Sequence, residues 1–165
     1  MIGRDRDDAG RARNLRPRDA AGRPLPRGAT GVERVPDDLV LAPDEAVTEA
    51  QRLIDEGLPF PAHDVLEAAW KAAPESERGL WRAMAQVAVG LTHVQRGNAR
   101  GATALLKRAA DGLRRWVGVP PAGLDLVGLA DRAEALARQV ERHGTGAVPA
   151  DDLRPRLRRD EESSR

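Results

Sequence analysis

From Ala83 to Val94 the chain reads AMAQVAVGLTHV, in which only Gln86, Thr92 and His93 are polar. A helix that is apolar nearly all round sits at the centre of its fold, because an outer helix keeps one polar face for water. At about 100° per residue, Leu80, Trp81, Met84, Val87, Ala88 and Leu91 share one broad face. Gln86, Val89, Gly90 and His93 fall roughly opposite. The spacing predicts a long helix from about Glu77 to Arg96, packed on both sides. Gly97 and Asn98 follow directly. Glycine takes the left-handed conformation that closes a helix, and asparagine caps the next one. So short a connection makes an antiparallel hairpin, and Gly101 and Ala102 let the two backbones approach closely.

Four more helices follow from the same periodicity. The first is expected from about Asp44 to Glu56, opened by Pro43 and closed by Gly57, with Val47, Ala50, Leu53 and Ile54 as its stripe. The second spans about Pro61 to Ala73 and stops before Pro74. The fourth runs from about Ala99 to Val117, with Leu105, Leu106, Ala109, Leu113 and Trp116 aligned. The fifth runs from about Val127 to Arg142 and ends at Gly144. No β pattern, internal repeat or sustained heptad is visible. The fold class is all-α: a single-domain bundle of about five helices over residues 37–149, with disordered tails on either side.

Residues 1–36 are rich in Arg, Asp, Gly and Pro and offer few large apolar side chains to bury, which is the composition of a disordered arm. Residues 150–165 read as a charged, frayed tail. Charge is unevenly spread. Residues 1–34 hold nine Arg against five Asp and Glu, whereas residues 35–150 hold 13 basic against 16 acidic residues. The net charge of +1 argues against a generally basic nucleic-acid-binding surface; nucleic acid would meet this chain only weakly, through residues 4–34. The first expectation for the arm is a solvated tail; a protein partner on which it orders, or a homo-oligomer, is the other. Cysteine is absent, which removes disulfides, thiolate metal sites and thiol catalysis and suits a reducing cytoplasm. No apolar run reaches the roughly 18–20 residues of a membrane span, and MIGRDRDDAGRARN lacks the apolar core of a secretory signal.

The chemistry concentrates in FPAHDVLEAAW, Phe60 to Trp70. His63 and Glu67 are four residues apart, on one helical face with Leu66 and Trp70, close enough to share a proton or an ion. With Gln86 and His93 from the third helix they form the expected ligand-contacting cluster. His63, Glu67 and His93 would make a two-histidine, one-carboxylate set for zinc, iron or manganese. Without metal, His63, Asp64 and Glu67 are the candidates for acid–base catalysis. The leading reading is a structural network that fixes helix register, within a binding or scaffold domain; a metal-dependent hydrolase using His63, Glu67 and His93 is the alternative. Asp64 is expected about 100° away from His63, as an exposed carboxylate near the helix N-terminus. Trp70, Trp81 and Trp116 read as core. Arg96, Arg100, Arg108, Arg114 and Arg115 read as a solvated basic end. Phosphate-binding glycine loops, nucleophile elbows and nucleic-acid motifs are absent.

Phe60, HDVLEAAW, the Gln86 and His93 stripe and RGNARGA from Arg96 to Ala102 together resemble the prokaryotic family known as domain of unknown function 309. The resemblance covers about Glu45 to Trp116. The family usually shows His-Glu-x-Leu-Glu, so Asp64 is a conservative departure. The resemblance implies an all-helical bundle with a polar cluster from its second and third helices. A metal-dependent hydrolase is the activity suggested for the family. The Arg/Pro-rich arm is similar to additions in high-GC actinobacterial members.

Overall fold

The computed structural model describes residues 40–160, Arg23, and the backbone of residues 5–6 and 12–13. Most of the expected disordered arm, and residues 161–165, lie outside the described residues. Two short strands, β1 (Asp5–Arg6) and β2 (Ala12–Arg13), pair antiparallel, Asp5 opposite Arg13. A two-residue ladder carries no alternation that a sequence could display.

Five helices carry the fold: α1 (Pro43–Asp55), α2 (Pro59–Ala72), α3 (Glu75–Gln95), α4 (Ala99–Arg114) and α5 (Leu126–His143). Successive helices pack on one another: α1 on α2, α2 on α3, α3 on α4, and α4 on α5. The order is an up-and-down bundle with α3 between α2 and α4. Its buried side chains run from Leu80 and Trp81 to Val94 and include Met84, Val87 and Leu91. The buried Thr92 hydroxyl is satisfied within the helix by the Ala88 carbonyl, 2.8 Å away. No helix among the described residues is long and apolar enough to cross a membrane.

The ends follow the local chemistry. Pro59 and Pro61 both sit in the first turn of α2, where a missing N–H costs nothing; the helix therefore begins two residues before Pro61. Between α3 and α4, Gly97 adopts φ 75°, and the Asn98 side chain accepts from the Gly101 N–H at 3.0 Å. Asp125 caps α5 in the same way through Gly128, also at 3.0 Å. Close approach of α3 and α4 is set at Gly90: a Cβ there would lie 2.7 Å from Leu106 Cγ and Cδ2.

Two expectations are corrected. Helix α4 stops at Arg114, so Trp116 lies beyond it, half-buried against the core. Its Nε1 is buried with no hydrogen-bond partner among the described residues. Residues 150–160 are not a frayed tail. They make a short 3-10 turn (Ala150–Leu153) and then a strap across α1 and the start of α5. Gln51 on α1 holds the strap by its backbone: its Nε2 donates to the Pro155 carbonyl (3.1 Å), and its Oε1 accepts from the Leu157 N–H (2.8 Å). The Leu157 carbonyl accepts from the Asp125 N–H at 2.8 Å. Leu157 itself is 1% exposed. Arg158 then donates to the Ala122 and Asp44 carbonyls and the Thr48 hydroxyl.

Candidate functional site

Helix α2 buries Ala62, Val65 and Leu66 and turns His63, Asp64 and Glu67 to the margin of the bundle. The side chains of His63, Asp64 and Glu67 are 22%, 39% and 32% exposed. This face is a boundary, neither sealed in the core nor fully solvated. His63 Nε2 lies 3.2 Å from Glu67 Oε2, as the four-residue spacing predicts. Glu67 Oε1 is 3.0 Å from Lys71 Nζ, one turn further on. The Phe60 ring packs against His63 with centroids 5.8 Å apart, and the Arg96 guanidinium lies 5.5 Å over Phe60.

Asp64 does not point away. Its Oδ1 is 3.5 Å from His63 Nδ1. Adjacent residues diverge by about 100° at Cβ, but Nδ1 sits close to the histidine's own backbone, where a neighbouring carboxylate still reaches it. Nδ1 is buried and forms no hydrogen bond among the described residues. One ligand atom from each of His63, Asp64 and Glu67 can be chosen so that all lie within 4.8 Å of one another.

His93 is not part of this group. It sits near the C-terminal end of α3, where its Nδ1 is 3.2 Å from Asn98 Nδ2. The α4 cap decides the chemistry there. Asn98 Oδ1 is taken by the Gly101 N–H, so its amide nitrogen faces His93, and Nδ1 must accept with the ring proton on Nε2. Burial, and secondarily the charge of Arg96, holds His93 below the ordinary histidine value. Gln86 is half-buried on α3. The expected set of His63, Glu67 and His93 is therefore divided: two members meet on α2, Asp64 joins them, and His93 belongs to the α3–α4 turn.

The tryptophans divide similarly. Trp81 is core, 1% exposed. Trp70 is half-buried, with the Arg82 guanidinium 6.0 Å over its ring. Of the basic end, Arg114 bonds Asp131 (3.0 Å) and Glu134 (2.6 Å) on α5, so it ties two helices together. Sequence reasoning missed Lys71, although the Glu67–Lys71 spacing is the ordinary signal for a helical ion pair.

Residues 47–105 match the family model of a domain of unknown function, DUF309. Over that span the chain is similar to the DUF309 family. The matched span runs from within α1 into α4 and includes His63, Asp64, Glu67, Gln86 and His93; α5 and the C-terminal strap lie beyond it. No curated protein and no solved structure matches the chain.

The α2 group fits a divalent cation. An imidazole nitrogen and a carboxylate oxygen are donors that suit zinc, iron or manganese, and His63 Nε2 and Glu67 Oε2 present them to one point. Two ligands on one ion with bonds of about 2.0–2.2 Å stand roughly 3 Å apart, and His63 Nε2 and Glu67 Oε2 are at 3.2 Å. A carboxylate beside the other imidazole nitrogen is the usual device that orients a ligating histidine, and Asp64 is placed for it.

Proposed function

We propose that this DUF309-like domain is a binding domain whose contact point is His63–Asp64–Glu67 on α2, and that the group takes a divalent cation. One observation carries the reading: three ligand-bearing side chains converge on a rigid helix while each remains partly open to solvent. A purely structural network would gain by sealing these groups from water and pairing every one of them; His63 Nδ1 is left without a bond. In the bound state Glu67 and His63 Nε2 hold the ion, and Asp64 holds the imidazole by Nδ1–H. A cytoplasmic setting, expected from the absence of cysteine, belongs to the same reading.

The test is titration of the tag-free protein with manganese or zinc chloride, beside His63→Ala and Glu67→Gln. Saturable one-to-one binding that both substitutions weaken at least tenfold is expected. Equal binding in all three proteins would defeat the assignment.

A second reading, a metal-dependent hydrolase, is favoured by the geometry of supply. All three side chains come from one stretch of one helix, which leaves the solvent side free for substrate. A bound ion would supply Lewis acidity and a water of lowered pKa. This chain's residues would orient the imidazole through Asp64 and accept a proton at Glu67 Oε1, the oxygen that faces Lys71. Metal-stimulated hydrolysis of ester or phosphoester substrates, lost in Glu67→Gln, would promote this reading over simple binding.

A further inference from the structure

The two oxygens of Glu67 are divided between two partners. Oε2 faces the His63 imidazole at 3.2 Å, and Oε1 faces the Lys71 ammonium at 3.0 Å. Residues 63, 67 and 71 follow one another at intervals of one helical turn, so the three side chains form a row along α2. Their exposures differ in a telling way. The Lys71 side chain is 70% exposed, whereas Glu67 is 32% and His63 22% exposed. The carboxylate and the imidazole are held at the margin of the bundle. The ammonium reaches in on a flexible four-carbon stem and has water to return to.

A divalent ion held by His63 and Glu67 would stand within a few ångströms of that ammonium. Both positive charges would then address one carboxylate, and the mobile one gives way. We infer that Lys71 is a tethered counter-cation of the α2 group: it competes with the ion for Glu67, lowers the affinity of the site, and makes its occupancy reversible. The inference rests on the cation reading above and adds its control. The ligand class follows from the donors. A monovalent ion offers Glu67 no more charge than Lys71 already does, and a hard ion gains little from imidazole nitrogen. The competitor that displaces Lys71 is thus a divalent transition-type cation.

An exposed helical ion pair of this kind is worth about 0.2–1 kcal/mol. Its loss as a competitor therefore corresponds to a gain of about 1.4- to fivefold in affinity. The experiment is calorimetric titration of the full-length, tag-free chain with manganese chloride at low salt, using wild type, Lys71→Gln, Lys71→Arg and His63→Ala. Lys71→Gln is expected to bind about 1.4- to fivefold more tightly, Lys71→Arg to stay near wild type, and His63→Ala to lose at least tenfold. A pair with only a structural role would lower the melting temperature of Lys71→Gln and leave its affinity unmoved. That result, with His63-dependent binding intact in wild type, overturns the role of Lys71 alone. Failure of both wild type and Lys71→Gln to bind overturns the cation reading itself.

Discussion

Gln51→Leu tests whether the C-terminal strap is part of the fold. The substitution keeps the side chain's approximate size and removes its amide. Three hydrogen bonds disappear: Nε2 to Pro155 O (3.1 Å), Nε2 to Asp55 Oδ1 (3.0 Å), and Leu157 N–H to Oε1 (2.8 Å). The Asp55 carboxylate regains water and also faces Arg156 at 3.5 Å, so its loss is small. The Leu157 N–H and the Pro155 carbonyl are part-buried, and each left unpaired costs about 1–2 kcal/mol. The expected destabilisation is about 2–4 kcal/mol, or roughly 6–16 °C in melting temperature for a domain of this size. Amide hydrogen exchange should locate the effect. Protection of the Leu157 N–H and of the Asp125 N–H, which donates to the Leu157 carbonyl, falls together, while protection within α3 changes only through the global stability. A melting temperature within about 1 °C of wild type, with Leu157 still protected, would refute the reasoning.

Other changes probe the bundle and its turns. Gly90→Ala gains about 1 kcal/mol of helix propensity but drives a Cβ to 2.7 Å from Leu106 Cγ. Overpacking of this kind costs about 1–3 kcal/mol, so chemical denaturation should show net destabilisation of up to about 2 kcal/mol; a more stable variant would mean that α3 and α4 are farther apart. Asp125→Ala removes the α5 cap and should cost about 1 kcal/mol, read in the same assay. His93 is held below its ordinary value, so the unfolded chain binds its proton at higher pH than the fold does. Its stabilising contribution is therefore complete above about pH 6.5 and declines as pH falls from there towards the lower folded value. His93→Gln should flatten that part of the stability–pH curve, and an unchanged slope would count against the burial that holds His93 low.

What the sequence made legible was local. The run from Ala83 to Val94 placed α3 at the centre because a two-sided apolar helix has no other place to go. Gly97 and Asn98 closed one helix and opened the next by chemistry confined to a few residues. His63 and Glu67 met because helical spacing alone brings them together. What remained hidden depends on how separate elements meet. Helical-wheel reasoning put His93 on the face opposite the main apolar stripe. The rotation and offset of α3 against α2, which decide whether it reaches Glu67, are set by packing across the whole interface. The contact that holds His93 instead comes from Asn98, at the turn. The strap is the extreme case. Leu157 sits alone in a charged run, and its partner Gln51 lies 106 residues earlier, with no periodicity to connect them. Asp64 was misplaced for a smaller reason: direction at Cβ was read as direction at the functional atom.

The central claim is that the α2 group binds a divalent cation. Its most direct test is paramagnetic broadening by manganese in the amide spectrum of isotope-labelled protein, which reports location even when binding is weak and reversible. Substoichiometric manganese should broaden residues 62–71 first, leave His93 and Asn98 sharper, and lose this pattern in His63→Ala. Broadening spread over the acidic surface, centred on His93 or His143, or unchanged in His63→Ala would contradict it.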